Sequence, residues 1–243
     1  MAELLSDIQK LFNLLDGSKE PWKANDNLVQ ALTKAHPNDQ EALYFSERLQ
    51  KMLTPQVERA CQDLLEALFI DTDNDHNTKE TARRMAKMFV YEVFAGRYTE
   101  PPTVTDFPNV KNVDQIHTVG PAIVRSACSH HMVPIMGQAW VGILPHKDEG
   151  RVLGLSKFVR LSDWVFARPQ IQEEATEQLA DIIETAAKPR GLAVVVRAEH
   201  LCMTWRGVKQ TNTTMVTSAM RGAFKEDGVA RAEFFNLIKG QGF

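Results

Sequence analysis

Four short runs beyond residue 100, AIVRSA, QAWVGILP, LAVVVRAEHLC and TTMVTSAM, are rich in apolar and β-branched residues and read as strands. Two helical patterns accompany them, PQIQEEATEQLADIIETAAK and RAEFFNLIK, and the chain before the Pro-containing stretch TEPPTVTDFP is patterned as helices and linkers. The order is therefore helices, strands, helix, strands, helix. That order predicts an α+β fold with mainly antiparallel pairing, because strands that follow one another directly need no crossover helix.

The upstream region divides further. Leu4, Leu5, Ile8, Leu11, Phe12 and Leu15 share one helical face, and the breaker stretch DGSKEPWKAND ends that short amphipathic helix. A second helical stretch spans roughly Gln40 to Met52. Thr54 is then expected to cap a helix whose first residue is Pro55, with Val57, Ala60, Cys61, Leu64, Leu65 and Leu68 as its buried stripe. Cys61 is accordingly read as core. A further helix is expected from about Lys79 to Phe94, ending at Gly96. The expected division is an N-terminal helical extension, 1–53, and a main domain, 54–243, helical over 54–100 and mixed over 101–243.

Composition excludes several function classes. No run approaches the roughly 18 apolar residues of a membrane-spanning helix. The N-terminus MAELLSDIQKLFNLLD mixes acids with leucines, unlike a secretory signal. A net charge of −3 argues against a general nucleic-acid binder. Three cysteines make no disulfide framework, so the expected location is the reducing cytoplasm, with thiols serving metal, catalysis or packing.

The stretch CSHHMVPIMG places Cys128 two residues before the adjacent His130 and His131. One reading is a chance grouping of polar residues, the other a metal site whose last ligand lies elsewhere. In the strand LAVVVRAEHLC, residues two apart point to one face, so His200 and Cys202 are expected to point the same way. Cys128, His131 and Cys202 would then form a three-ligand site suited to zinc, with one position open. His130 and His200 remain beside it, and imidazole exchanges protons near neutral pH. The competing reading has His130 facing solvent and His200 supporting a ligand. Ser156, Lys157 and Arg160 lie where a strand gives way to a helix, a place that suits phosphate, and Arg206 lies just past Cys202. A solvated charged face is the alternative there, and Glu173 could equally be a helix-dipole partner.

CSHHMVPIMG, VLGLSKFVRL, RPQIQEEAT, AEHLCMTWRGV and TTMVTSAMRGAF, in this order and spacing, resemble the GTP cyclohydrolase I family, and KETARRMAKMFVYEVFAG resembles its helical segment. The likeness covers about residues 55–240. It implies the tunnelling fold (T-fold), assembled as a homodecamer of two pentamers with sites at subunit interfaces. It also implies zinc-dependent hydrolysis of GTP to 7,8-dihydroneopterin triphosphate and formate, a first step toward folate, pterins or deazapurines. By matching position, Cys128, His131 and Cys202 would hold Zn2+, and His130, His200 and Gln172 would be catalytic, Gln172 orienting His200. Glu173 would bind guanine, and Ser156, Lys157, Arg160 and Arg206 the triphosphate. The chain departs from the family pattern at Ser129, where glutamate is usual, and at Trp140, Glu174 and Met215. None of these removes an implied metal ligand.

Two other classes stand beside this reading. One is a non-catalytic zinc-stabilised scaffold or nucleotide sensor, which would not need both His130 and His200. The other is a different T-fold enzyme, whose three-histidine or metal-free cysteine site fits the ligand set poorly. The extension is expected to dock on the ring, bind a regulator or form a tail.

Overall fold

A computed structural model describes residues 47–147 and 151–243; the first expected helix and the part of the second before residue 47 lie outside them, while the rest of the second is continuous with the helix expected from Pro55. The chain divides into two compact units, the first running through Glu92 and including Arg97–Thr99, the second comprising Val93–Gly96 and Glu100–Phe243.

The first unit is built on α1 (Glu47–Ala67), which runs through Pro55 without a break. The expected cap at Thr54 is therefore not formed. Thr54 instead donates its hydroxyl back to the Gln50 carbonyl at 2.6 Å, the in-helix alternative open to threonine. Cys61 and Leu65 are buried with Ala82 against Ile70, Met85 and Phe89, and burial pushes the Cys61 thiol pKa up. Leu64 and Leu68, expected in the same stripe, are 50% and 60% exposed, so the buried face is narrower than the pattern suggested.

The helix expected over Lys79 to Phe94 is three pieces: α2 (Thr81–Lys87), a π-helical segment (Met88–Val93) and α3 (Ala95–Tyr98). Gly96 does not terminate it. Its N–H donates to the Ala167 carbonyl at 3.0 Å, and a Cβ there would sit 2.0 Å from the Trp164 carbonyl oxygen. Glycine at this position permits a close backbone approach; it is not a helix stop.

The second unit contains β1 (Asp106–Pro108), β2 (His117–Cys128), β3 (Pro134–Leu144), β4 (Arg151–Leu153), α4 (Leu155–Phe166), β5 (Pro169–Gln170), α5 (Gln172–Ala187), β6 (Gly191–His200), α6 (Leu201–Thr204), β7 (Thr214–Gly222), α7 (Ala223–Glu226) and α8 (Gly228–Lys239). Its main sheet has the order β5-β2-β3-β6-β7. Neighbours pair antiparallel except for the short β5, which lies parallel to β2, and β1 pairs separately with β4. The predicted α+β class with mainly antiparallel strands is what forms.

Both faces of β6 are covered, which explains the unbroken apolar run LAVVV. Leu192, Val194 and Val196 join Phe158, Leu161 and Leu179 in the core under α4 and α5. Ala193 and Val195 face the other way, against Trp140, Phe224 and Phe234. A strand buried on both sides loses the polar alternation of a half-exposed one. Among the described residues no helix is long and apolar enough to cross a membrane.

Candidate active site

At the end of β2 the chain turns sharply through Ser129 to Val133. The Cys128 N–H donates to the Val133 carbonyl and the Met132 N–H to the Cys128 carbonyl, both at 2.8 Å, while Met132 takes a left-handed φ of 55°. The Ser129 N–H reaches the Gln170 carbonyl of β5 at 3.2 Å, tying the turn to the strand alongside. This turn presents the two histidines at the surface and keeps Cys128 only 4% exposed.

The second cysteine arrives differently from the sequence expectation. β6 ends at His200, opposite Ile135 of β3, and Cys202 belongs to the one-turn helix α6. Strand alternation therefore does not align His200 with Cys202. The helical turn instead carries Cys202 over to β2, where it packs beside Cys128, Ile135 and Ala198. Ligand atoms of Cys128, His131 and Cys202 all lie within 4.8 Å of one another. Burial, and then the nearby Cys128 thiol, push the Cys202 pKa up. Two thiols held this close resist joint ionisation, a resistance that a divalent cation would relieve. Thiol, thiol and imidazole make a soft donor set open to solvent on the histidine side.

Around this cluster stand further polar groups. His130 Nδ1 is 3.7 Å from Cys128 Sγ, and Arg206 Nη1 is 3.1 Å from His131 Nε2. His200 is half-buried, its Nε2 2.8 Å from Gln172 Oε1. Burial lowers the His200 pKa, and the neighbouring Glu173 carboxylate opposes that shift without cancelling it. Glu173 itself is exposed in the first turn of α5.

Ser156, Lys157 and Arg160 occupy the start of α4, whose first turn follows an extended Gly154 with no side-chain cap. Among the described residues of a single chain, no hydrogen bond or ion pair joins these three to the cysteine–histidine cluster. Trp140 is fully buried, with its ring 5.2 Å from that of Phe243, on the sheet face toward α7 and α8. Two hydroxyls that sequence reasoning passed over enter the neighbourhood: Thr217 Oγ1 lies 3.0 Å from Gln172 Nε2, and Thr176 Oγ1 lies 2.6 Å from Thr217 Oγ1.

A mainly antiparallel sheet covered by helices, with a cysteine–histidine–cysteine cluster at one end, defines an α+β protein with a candidate metal centre. The family model described as GTP cyclohydrolase I matches residues 57–239. The GTP cyclohydrolase 1 of Thermobifida fusca (strain YX) is 44% identical over 187 residues, 77% of this chain and 89% of that protein. That of Thermoanaerobacter pseudethanolicus (strain ATCC 33223 / 39E) is 43% identical over 75% of this chain and 95% of its own length. The chain belongs to the GTP cyclohydrolase I family.

Proposed function

We propose that the chain is a zinc-dependent hydrolase that converts GTP and water to 7,8-dihydroneopterin triphosphate and formate, at the head of a folate, pterin or deazapurine pathway. Residues 54–243 form its catalytic domain behind an N-terminal extension, 1–53, and a reducing cytoplasm keeps its thiols available. The observation that carries the reading is the convergence of Cys128, His131 and Cys202 within 4.8 Å, in a chain of this family. These three would hold zinc, which when bound supplies Lewis acidity and lowers the pKa of water toward ~7.

The remaining work falls to the chain's own side chains. His200 delivers a proton to N7 of guanine, which makes C8 electrophilic enough for water to add. The ring opens to a formamide, and its hydrolysis releases formate. His130, with Ser129 beside it, moves protons at the ribose as the sugar opens and rearranges. Gln172 holds His200 in place. Ser156, Lys157, Arg160 and Arg206 take the triphosphate, the first turn of α4 adding backbone N–H groups.

Glu173 selects the base, since a carboxylate accepts both the N1 and N2 hydrogens of guanine, whereas adenine offers a different pattern. Wild-type protein should therefore turn over GTP and leave ATP untouched. Glu173→Gln presents a donor to guanine's donors, and kcat/KM for GTP should fall ~10²-fold or more. Equal use of GTP and ATP by the wild type, or an unimpaired Glu173→Gln, refutes this role.

The chain is further proposed to act as a homodecamer of two pentameric rings. Two observations support assembly. Among the described residues no hydrogen bond or ion pair joins Ser156, Lys157 and Arg160 to the cluster of their own chain, and β7, with Val216 51% exposed, is an edge strand of the main sheet. Native mass spectrometry should give ten chains; a monomer with full activity would contradict it.

A further inference from the structure

We infer that Thr217, held by Thr176, is a positioning residue that fixes the Gln172 amide and through it orients the His200 ring with its Nε2–H on Gln172 Oε1; this rests on the proton-transfer role proposed above for His200. The argument starts at Gln172, only 2% exposed. Its Nε2 lies 3.1 Å from the Val196 carbonyl, 3.2 Å from the Met215 carbonyl and 3.0 Å from Thr217 Oγ1. Backbone carbonyls only accept, so the amide NH₂ must face the strands β6 and β7. Turned the other way, the amide oxygen would meet two carbonyl oxygens in a buried place. Gln172 Oε1 therefore faces His200 Nε2 at 2.8 Å, and an oxygen that only accepts requires a hydrogen on that nitrogen.

The two threonines complete a directional chain. Thr176 donates its hydroxyl hydrogen to the Gln172 main-chain carbonyl at 2.7 Å. Its one hydrogen is then used, so in the 2.6 Å contact between the hydroxyls Thr217 donates to Thr176. Thr217 Oγ1 is left with its lone pairs toward Gln172 Nε2. Each hydroxyl hydrogen has a single place, and the two amide hydrogens are shared among three acceptors on β6 and β7, which fix the amide laterally as well as in its flip. Thr217 is the one acceptor of that amide that a side-chain substitution can remove.

The test uses the full-length, zinc-loaded protein. Thr217→Val should lower kcat about tenfold with KM for GTP within about twofold and zinc content unchanged, because a small misplacement of the acid costs rate and not ground-state binding. Thr217→Ser, which keeps the hydroxyl, should return kcat to within about twofold of wild type. In 15N spectra of protein labelled at the histidine side chains, with His200 identified by its loss in His200→Gln, the wild-type ring should show Nε2–H. Wild-type kcat in Thr217→Val, equal impairment of Thr217→Ser and Thr217→Val, or a wild-type His200 protonated on Nδ1 would each overturn the inference. A wild type that releases no formate would refute the proposed reaction, while the nitrogen spectrum would still decide the tautomer.

Discussion

Cys202→Ser is expected to abolish metal binding and formate release together and to leave the fold in place. Wild-type protein should carry about one zinc per chain. A serine hydroxyl at this position stays protonated at neutral pH and is a poor ligand for a soft site, so the variant keeps two of three donors and loses the ion. Activity should fall by more than ~10³-fold, since water without metal assistance is a far weaker acid. The fold should survive because Cys202 is half-buried on a one-turn helix rather than in the core. Cys61→Ser supplies the contrast: Cys61 sits in the first unit among apolar side chains, and its variant should keep both metal and activity. Inductively coupled plasma analysis and formate assay read the two properties separately, and a Cys202→Ser protein with full zinc content would refute the ligand set.

His200→Ala is expected to cost at least ~10²-fold in turnover, the scale of a lost general acid, while zinc stays bound. Its partner in hydrogen bonding is Gln172 rather than either cysteine, so removing the ring does not remove a donor from the cluster. His131→Ala should differ by losing the metal too. If His200→Ala lost zinc as His131→Ala does, ligand and acid would have to be exchanged.

How far the chain's one-dimensional pattern reaches can be seen in particular residues. The run LAVVV was legible as a strand, and mainly antiparallel pairing was expected from the element order, but which strands pair was not: β3 and β6 are neighbours although two helices intervene between them in the chain. Cys202 was singled out by a strand argument whose premise failed: the strand stops at His200, and a helical turn brings the thiol to Cys128. Strand ends depend on which backbone groups find partners, and a local pattern does not report that. Thr54 and Pro55 look like a helix start, yet α1 runs through both, since a proline can sit within a helix that tertiary packing sustains on either side. Gly96 looks like a helix stop but serves a close approach to the Trp164 carbonyl, 68 residues away in the chain. Thr176 and Thr217 escaped notice for a similar reason. Their importance comes from satisfying one buried amide across two elements, and nothing in either segment alone demands a hydroxyl there.

The central claim is that this chain removes C8 of GTP as formate. The direct measurement supplies zinc-loaded protein with GTP carrying 13C at C8 and follows the label by NMR alongside pterin fluorescence after oxidation. Labelled formate and pterin appearing in equal amounts is the predicted result. Label that stays in the nucleotide, or phosphate released with the purine ring intact, would contradict it.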